Sequence, residues 1–446
     1  MQLTIDTMTY GPDGLARTPE GKAVFVAGGI TGDTVEASLA SDGPSFARAV
    51  TERIIEPSPL RVDSPCPYAA VCGGCPWAGM AYSAQLAAKE ENLRSTLQRI
   101  GKFSDDQIED MVKPIRRTKN EWGYRNKIEL APSVQNGKIR LGMHGKDPSK
   151  IVKVDSCPLF EKKYGKTIRS VAGALGFLAN SRDLELERVG IRASRRTGAV
   201  EIALWTPTGA FPRGQVSRVL QDATKTSSIV RVMTKGEKKA RRVAGVEALA
   251  GEGSWTEKIG SETMRLSAPS FFQVNTAAAE ILIDLVMKAL DPKPEEFACD
   301  LYCGAGTFTL PLARRCDYVS AVESYGPAVR DLRRNLDIAH LDNVEPIGGD
   351  AVREFPEEDA DVLVVDPPRA GLAPEAIGLI ASTSARDVAY VSCDPATLAR
   401  DLRRFVDEGT FAPVSATPVD LFPQTFHCET VALLSRKTAS KSFIPV

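Results

Sequence analysis

Apolar and polar residues alternate in short runs at the start of the chain, and Gly, Asp and Pro turns separate the runs. Alternation with a period of two is typical of strands that bury one face, and several such strands in succession favour a small closed barrel. The sequence therefore predicts an OB-like β-barrel over residues 1–57. The clearest runs within it are residues 24–26, 34–40 and 47–54.

A helical pattern follows the barrel. Apolar residues recur at helical spacing within residues 82–100, and Gly101 comes directly afterwards. This spacing puts the apolar side chains on one face, and glycine is favoured just past the end of a helix. We therefore predict an amphipathic helix, and we expect it to pack on the domain that follows residue 260. The residues that carry the pattern are Leu86, Leu93, Leu97 and Ile100.

The rest of the chain changes character near residue 260. Before that point the pattern is mixed and rich in strand-forming residues, which predicts a central β-rich domain over residues 58–260. Beyond it, strands alternate with helices, which is typical of a doubly wound parallel sheet, so residues 261–446 are predicted to form a Rossmann-like α/β domain. The predicted strands of that sheet are residues 297–302, 318–322, 344–347, 361–365 and 387–391.

The loops at the carboxyl ends of these strands carry glycines and acidic residues. The first strand leads into Gly304-Ala305-Gly306, the second ends at Glu323, and Asp350 follows the third. Glycines let the backbone pass close to a ligand, and a carboxylate after the second strand can accept both hydroxyls of a ribose. The longer Gly-x-Gly-x-x-Gly of NAD sites is absent. The pattern therefore favours S-adenosylmethionine over NAD.

Cys393 is a candidate nucleophile. It follows a predicted strand in a Ser-Cys-Asp-Pro motif, on the same side of the sheet as the glycine loop. Covalent catalysis needs a poised thiol next to the bound ligand. Taken alone, this cysteine would more often be a small buried side chain. The Asp-Pro-Pro-Arg loop that begins at Asp366, on the same edge of the sheet, favours the catalytic interpretation.

A second group of cysteines has the spacing of a metal-binding loop. Cys66, Cys72 and Cys75 form a C-x5-C-x2-C pattern among Gly and Pro, and Cys157 lies further along in Ser-Cys-Pro. Four thiolates suit either an iron–sulphur cluster or a structural zinc, and the residues alone do not separate the two. The chain has only 3 histidines, so a mixed Cys/His site has little support. Independent small core residues are the alternative.

Composition and charge add one basic region to this picture. The chain has 446 residues, 43% hydrophobic and 25% charged, with a net charge of −1, which suits about three globular domains. Residues 101–170 hold 16 Lys and Arg against 9 Asp and Glu. This surplus indicates either a solvated face or a polyanion-binding surface, and the aromatic and basic stretch 121–127 and the basic stretch 235–242 are open to the same two interpretations.

Membrane insertion and export are not expected. No run approaches the roughly 18 consecutive apolar residues that cross a bilayer, and the first residues lack a basic segment followed by an apolar one. We therefore expect a cytoplasmic protein.

Several motifs in the last part of the chain resemble those of the RNA uracil-C5 methyltransferases, and the resemblance runs over nearly the whole sequence. It implies a class I methyltransferase domain that uses S-adenosylmethionine, an N-terminal RNA-binding barrel of the TRAM type, and a central domain in which the four cysteines hold a 4Fe-4S cluster. The motifs are Ser-Phe-Phe-Gln-Val-Asn at 270–275, the glycine loop at 300–308, Asp-Pro-Pro-Arg-Ala-Gly at 366–371, the cysteine motif at 392–401 and His-Cys-Glu-Thr at 427–430.

The resemblance also implies roles for single residues. Cys393 would add to carbon 6 of a uracil, and Glu429 would remove the carbon-5 proton after methylation. The target base would leave its stack to reach both groups. Asp394 departs from the family's usual Asn, and its carboxylate is expected to raise the thiol pKa. The contacts expected for S-adenosylmethionine are Gln273, Tyr302, Glu323, Asp350 and Asp366.

The barrel and the four cysteines together are similar to the branch of the family that acts on bacterial 23S ribosomal RNA, which implies 23S rRNA as the partner. We expect a monomer. A tRNA uracil-C5 methyltransferase is the first alternative. A non-catalytic rRNA chaperone or assembly factor is the second, although both Cys393 and Glu429 are present. Arg369 disfavours RNA cytosine and amino-group methyltransferases, which would have a cysteine or an aromatic residue in this loop.

Overall fold

The fold begins with a closed five-stranded barrel. A computed structural model describes residues 1–136, 138–181, 183–237 and 241–437. The barrel strands are β1 (Gln2–Met8), β2 (Gly14–Arg17), β3 (Ala23–Ala27), β4 (Thr34–Asp42) and β5 (Phe46–Glu56). They pair in the order β1-β2-β3-β5-β4 and close on themselves. Alternate residues such as Ile5, Val24 and Val35 fill the interior, so the predicted N-terminal barrel is confirmed.

Turns and two helices lead out of the barrel. The segment between Glu56 and Tyr82 is mostly turns and holds three of the four cysteines of the predicted cluster. The predicted helix is present and ends one residue earlier than expected, and the second helix begins at a capping box in which Ser104 and Gln107 satisfy each other's backbone N–H groups. The elements are α1 (Tyr82–Arg99), α2 (Asp105–Met111) and the short strand β6 (Arg116–Arg117).

A second sheet forms the central region. Its elements are β7 (Lys127–Gln135), β8 (Lys138–His144), β9 (Ile151–Lys153), α3 (Gly165–Ser181), β10 (Arg188–Ala193), β11 (Val200–Pro207), α4 (Arg213–Ala223), β12 (Ser228–Lys235) and β13 (Arg242–Gly251). The strands lie in the order β13-β12-β11-β10-β7-β8-β9. Apolar residues of α3 and α4 share one core with the sheet. The central region is therefore an α/β layer pair, richer in helix than the sequence pattern indicates. Residues 238–240 of the basic stretch 235–242 lie outside the described residues.

A hairpin and the doubly wound sheet complete the chain. The elements are β14 (Trp255–Ile259), β15 (Glu262–Leu266), α5 (Thr276–Leu290), β16 (Phe297–Leu301), α6 (Thr309–Ala313), β17 (Tyr318–Glu323), α7 (Gly326–Ala339), β18 (Val344–Gly348), β19 (Val362–Val365), α8 (Pro374–Ser382), β20 (Asp387–Ser392), α9 (Pro395–Glu408), β21 (Phe411–Asp420) and β22 (Glu429–Arg436). The sheet order is β18-β17-β16-β19-β20-β22-β21-β6.

The strand directions explain where a ligand can bind. β16 to β20 run parallel, β22 is antiparallel to β20, and β6, from before the central region, pairs with β21 at the edge. Every residue of β19 is buried, as expected for a strand covered on both faces. The predicted α/β sheet is confirmed up to residue 437, and residues 438–446 lie outside the described residues. No helix in the described part of the chain is long and apolar enough to span a membrane.

Helix α1 is joined to the last domain by an apolar face and a buried ion pair. Leu93 and Leu97 belong to the same hydrophobic cluster as residues of α8 and α9. The Lys89 ammonium binds the Asp420 carboxylate, and both side chains are fully buried. The Tyr82 hydroxyl donates a 2.7 Å hydrogen bond to the other oxygen of Asp420. Because the carboxylate has these two partners, its burial is compensated.

Removing the cation of this pair should destabilise the fold. Lys89→Met leaves the Asp420 charge buried without its counterion, which costs about 3–5 kcal/mol in comparable pairs. We expect a loss of that size in the free energy of unfolding, measured by chemical denaturation. The matched control is Lys288→Met, which breaks the exposed Lys288–Asp284 pair and should cost at most about 1 kcal/mol. Equal losses for the two variants would contradict a stabilising role for the buried pair.

Candidate active site

The sheet brings the predicted site residues to one edge. The parallel strands β16, β17, β18, β19 and β20 end together, and the loops that follow them lie at one edge, where doubly wound sheets have their ligand crevice. β22 starts at this edge because it runs antiparallel to β20, with Ser392 paired to Thr430. This register makes Cys393 and Glu429 neighbours across two adjacent strands, although they are far apart in the sequence. The residues placed at this edge are Tyr302, Glu323, Asp350, Asp366, Cys393 and Glu429.

The first loop turns sharply as it leaves β16. Tyr302 has a φ of +66°, a left-handed conformation that side chains other than glycine rarely adopt. The backbone N–H groups of Tyr302 and Cys303 both donate to the Val322 carbonyl, at 2.9 and 3.1 Å. Gly306 is also left-handed, and a Cβ there would lie 2.5 Å from the Leu310 side chain. The glycine is therefore required for the loop to pass between two helices.

The second loop is tied to the first by Glu323. One carboxylate oxygen of Glu323 accepts a hydrogen bond from the Gly304 N–H at 3.0 Å, and the other accepts from the Tyr325 N–H at 2.6 Å. These bonds fix the carboxylate at the mouth of the crevice. Asp350 is exposed and holds the third loop by accepting from the Val352 N–H at 3.1 Å.

Acidic side chains lie close together at this edge of the sheet. Burial raises the pKa of Asp300 to about 7, and the charges of Asp366 and Glu323 add to the rise. Burial raises the pKa of Asp366 well above its usual range, with further increases from Glu429 and Glu323. One oxygen of Asp300 accepts a 2.6 Å bond from Thr309, and its other oxygen has no partner among the described residues. A cationic ligand beside these carboxyls would favour their ionised forms.

Cys393 sits just before α9, in the loop that follows β20. Burial raises the pKa of its thiol to about 11, with contributions from Glu429 and Asp366, while Arg369 lowers it. Asp394 also raises the pKa, which is the direction expected for the carboxylate at this position, but its effect is smaller than that of each of these three side chains. The Tyr10 hydroxyl of the barrel donates a 2.9 Å hydrogen bond to the Cys393 carbonyl.

Asp394 also has a structural role, because it caps the start of helix α9. It is the N-cap of α9, and one of its oxygens accepts from the backbone N–H groups of Ala396 and Thr397 at 2.9 and 3.1 Å. Asn and Asp are both favoured at an N-cap, because each has an oxygen that can accept these bonds. The carboxylate also faces the positive end of the helix. An aspartate in place of the usual asparagine is therefore compatible with the geometry of the nucleophile loop.

Glu429 is buried beside Cys393. Only 4% of the residue is exposed. Burial raises the pKa of its carboxyl to about 7, and the positive charge of Arg369 lowers it in part. A carboxyl that titrates near neutral pH suits a group that accepts a proton during a reaction. Arg369 influences both Cys393 and Glu429, a relation that the Asp-Pro-Pro-Arg motif alone does not reveal.

Gln273 is buried at the junction with the central region. Its side-chain oxygen has no hydrogen-bond partner among the described residues, although the residue is only 6% exposed. The Asn126 amide donates to the Gln273 carbonyl at 2.9 Å and to the Thr276 hydroxyl at 3.0 Å. Asn126 and Tyr124 are both buried, so this part of the stretch 121–127 joins two domains and does not offer an aromatic surface to nucleotides.

The four cysteines of the second group surround one cavity. Cys66, Cys72, Cys75 and Cys157 line it together with residues that include Tyr68, Arg125 and Phe160. Burial and the charges of the other three cysteines raise the pKa of Cys75 to about 12. Within the described ranges, however, no three or more Cys, His, Asp or Glu side chains are arranged to hold a metal ion. The predicted iron–sulphur site is therefore not shown, although the cysteines do share a cavity.

Comparisons with known proteins indicate the family of this chain. The sequence model of the family described as tRNA (Uracil-5-)-methyltransferase matches residues 260–437. An uncharacterized RNA methyltransferase of Gloeobacter violaceus is 34% identical over 97% of this chain and 95% of its own length. One from Halalkalibacterium halodurans is 32% identical over 98% and 97%.

A solved structure is similar over the whole chain. It is the Pyrococcus abyssi tRNA (uracil-54, C5)-methyltransferase in complex with S-adenosyl-L-homocysteine. The TM-score is 0.75 at 25% identity, and the alignment covers 97% of this chain and 100% of that one. The likeness extends over the barrel and the central region as well as the doubly wound sheet.

Proposed function

The chain belongs to the RNA (uracil-5-)-methyltransferase family, and we propose that it methylates carbon 5 of a uridine in 23S rRNA through a covalent adduct on Cys393. It is an S-adenosylmethionine-dependent RNA methyltransferase with the class I fold. The observation that carries the proposal is the pairing of β20 with β22, which sets the thiol of Cys393 beside the buried carboxyl of Glu429.

The chemistry follows from the weakness of uracil carbon 5 as a nucleophile. The thiol of Cys393 gives up its proton to the solvent, the resulting thiolate adds to carbon 6, and the electrons of the carbon 5–carbon 6 double bond move to form an enolate. Carbon 5 then takes the methyl group, and the electron pair of the broken sulfur–methyl bond stays on the sulfur of the methyl donor, which leaves as a neutral thioether. Glu429 removes the proton left on carbon 5, the double bond re-forms, and the sulfur of Cys393 leaves carbon 6. The uridine leaves its stack to lie between the two groups.

The cofactor contacts are proposed from this crevice and, for Gln273, from the junction with the central region. When bound, S-adenosylmethionine supplies an electrophilic methyl group on a positively charged sulfur. The residues fit such a ligand, because the crevice is acidic and both Asp300 and Gln273 have buried oxygens without partners among the described residues. Glu323 is held where it can accept hydroxyl groups. We propose that Gln273, Tyr302, Glu323, Asp350 and Asp366 hold the cofactor.

The RNA substrate is proposed from the resemblance and from the two regions that precede the doubly wound sheet. The resemblance to the 23S rRNA branch supports rRNA, with the barrel of residues 1–57 and the basic surface of the central domain, residues 58–260, as RNA-binding parts of a monomer. The tRNA alternative is consistent with one observation, since the similar solved structure, matched over its whole length, is a tRNA enzyme.

Methyl transfer to both RNAs tests the function directly. Labelled S-adenosylmethionine would be supplied with unmodified 23S rRNA and, in parallel, with unmodified tRNA, and the labelled nucleoside would be identified and mapped. We expect 5-methyluridine in 23S rRNA. Label in tRNA alone would reject the rRNA assignment and keep the reaction. No label in either RNA would favour a non-catalytic assembly factor.

We also propose that Cys66, Cys72, Cys75 and Cys157 hold a 4Fe-4S cluster. The four thiols fit this group because they surround one cavity. Four cysteine thiolates are the usual ligand set of such a cluster. When bound, the cluster would crosslink the loop of residues 66–75 to the segment around Cys157.

Replacing one of the four cysteines should lower the iron content of the protein. Protein purified without oxygen should be brown and contain iron and sulfide, and Cys75→Ala should lose most of both, because one of four thiolate ligands is gone. The control is Cys316→Ala, at a buried cysteine of the doubly wound domain, which should keep them. A colourless protein that contains zinc would contradict the assignment.

A further inference from the structure

We propose that Tyr10 of the N-terminal barrel is a positioning residue of the active site, which holds the nucleophile loop and the loop before Glu429 in place. The inference rests on the proposed roles of Cys393 and Glu429, and it goes beyond them by making the barrel part of the catalytic machinery. A barrel that served only to bind RNA would not need this contact.

The hydroxyl of Tyr10 reaches the nucleophile. Tyr10 lies just past the end of β1, and its hydroxyl donates a 2.9 Å hydrogen bond to the backbone carbonyl of Cys393. Burial raises the pKa of Tyr10, and the nearby Asp394 and Cys393 raise it further. The hydroxyl therefore stays protonated at neutral pH and keeps its ability to donate. The bond restrains the backbone of the residue whose sulfur must meet carbon 6.

The ring of Tyr10 contacts the second loop. It lies edge-on to the ring of Phe426, with centroids 5.6 Å apart, and edge-on to His427 at 6.4 Å. Phe426 and His427 themselves lie 4.2 Å apart and come shortly before Glu429 in the chain. One barrel side chain thus contacts both the loop of the nucleophile and the loop that leads to the proposed base.

The barrel loop that carries Tyr10 is itself held from the other side. The indole N–H of Trp77 donates to the Gly11 carbonyl at 3.2 Å, and the Trp77 backbone N–H donates to the Gln424 carbonyl at 3.1 Å. Trp77 is fully buried and packs with Met8 of β1 and with Phe426. The barrel, the segment around Trp77 and the loop before Glu429 therefore share one small core.

The position of Tyr10 is expected to affect the rate of the reaction. A nucleophile and a base must be held within a fraction of an ångström of their working positions, so the groups that fix their loops affect the rate of the chemical step. Loss of the Tyr10 hydroxyl should therefore lower kcat more than it changes KM for RNA. If the barrel only captured RNA, the same change would alter KM and leave kcat intact.

The test compares two tyrosine variants. Tyr10→Phe removes the hydroxyl and keeps the ring. The control is Tyr318→Phe, whose hydroxyl bonds the exposed Glu345 at the far end of β17. With the full-length protein and the RNA that it methylates, we expect Tyr10→Phe to lower kcat about fivefold, the effect of one lost hydrogen bond, with KM changed less than about twofold. Tyr318→Phe should behave as the wild type.

A second measurement keeps this test separate from that of the proposed function. Hydrogen–deuterium exchange of the free protein should become faster in the peptide covering residues 391–396 of Tyr10→Phe, which loses the hydroxyl. It should also become faster in the peptide covering residues 424–429 of Tyr10→Leu, which loses the ring, and both peptides should stay unchanged in Tyr318→Phe. Unchanged exchange there, or a raised KM with an unchanged kcat, would overturn the role of Tyr10. If the wild type methylated neither RNA, the proposed function would fail, while the exchange rates would still decide whether Tyr10 restrains the two loops.

Discussion

Replacing Cys393 by Ala should abolish methyl transfer to RNA and leave S-adenosylmethionine binding within about twofold of the wild type. Without the sulfur, nothing adds to carbon 6, and carbon 5 stays too weak a nucleophile to take the methyl group. The cofactor contacts proposed above do not include this side chain. The measurement is label transfer to RNA, together with equilibrium dialysis of the labelled cofactor.

Two other cysteines show whether the loss is specific to Cys393. Cys428 is close to the site, but it is buried and its sulfur lies 3.5 Å from the Val419 carbonyl and 3.3 Å from that of Glu429, so it is not free to replace Cys393. Cys316→Ala, at a buried position away from the crevice, controls for the loss of a thiol as such and should keep full activity. Retained methylation in Cys393→Ala would refute the nucleophilic role.

The ligand-binding edge of the sheet is the part of the site that the sequence predicts best. A run of buried residues such as Val362–Val365 followed by Asp366 is interpretable locally, because a parallel strand and the loop after it are contiguous in the chain. The positions of Glu323, Asp350 and Cys393 follow from the same rule. Glu429 does not, since it begins an antiparallel strand. Only the register of β20 with β22 brings it to the nucleophile.

Contacts between domains could not be predicted from the sequence. Tyr10 and Cys393, or Lys89 and Asp420, lie hundreds of positions apart, and no periodicity relates them.

The helices of the central region could have been predicted but were not. Ile168, Val171 and Leu175 are buried along one face of α3, so the helical spacing was present in the sequence, but the surrounding strand-forming residues obscured it.

Glu429→Gln should trap the covalent adduct between Cys393 and the methylated RNA. The amide fits the space of the carboxyl but cannot accept the carbon-5 proton, so the elimination that frees the enzyme is blocked. We expect turnover to fall about 10²–10⁴-fold, the range typical of a lost general base. The adduct should appear on a denaturing gel as a heat-stable, slower band that carries both RNA and the label from S-adenosylmethionine.

The pH dependence gives an independent test of the same carboxyl. Burial raises the pKa of Glu429 to about 7, so the ionised form that accepts a proton is lost as the pH falls through 7. Turnover of the wild type should therefore rise with pH through this value. The rate at which Glu429→Gln forms the adduct should lack this rise, because glutamine does not ionise.

The double variant Cys393→Ala/Glu429→Gln should give no band, because the bond to the RNA needs the sulfur. A Glu429→Gln protein that releases product at the wild-type rate would show that another group takes the carbon-5 proton, and Asp366, whose pKa is also raised in the same crevice, would be the next to test.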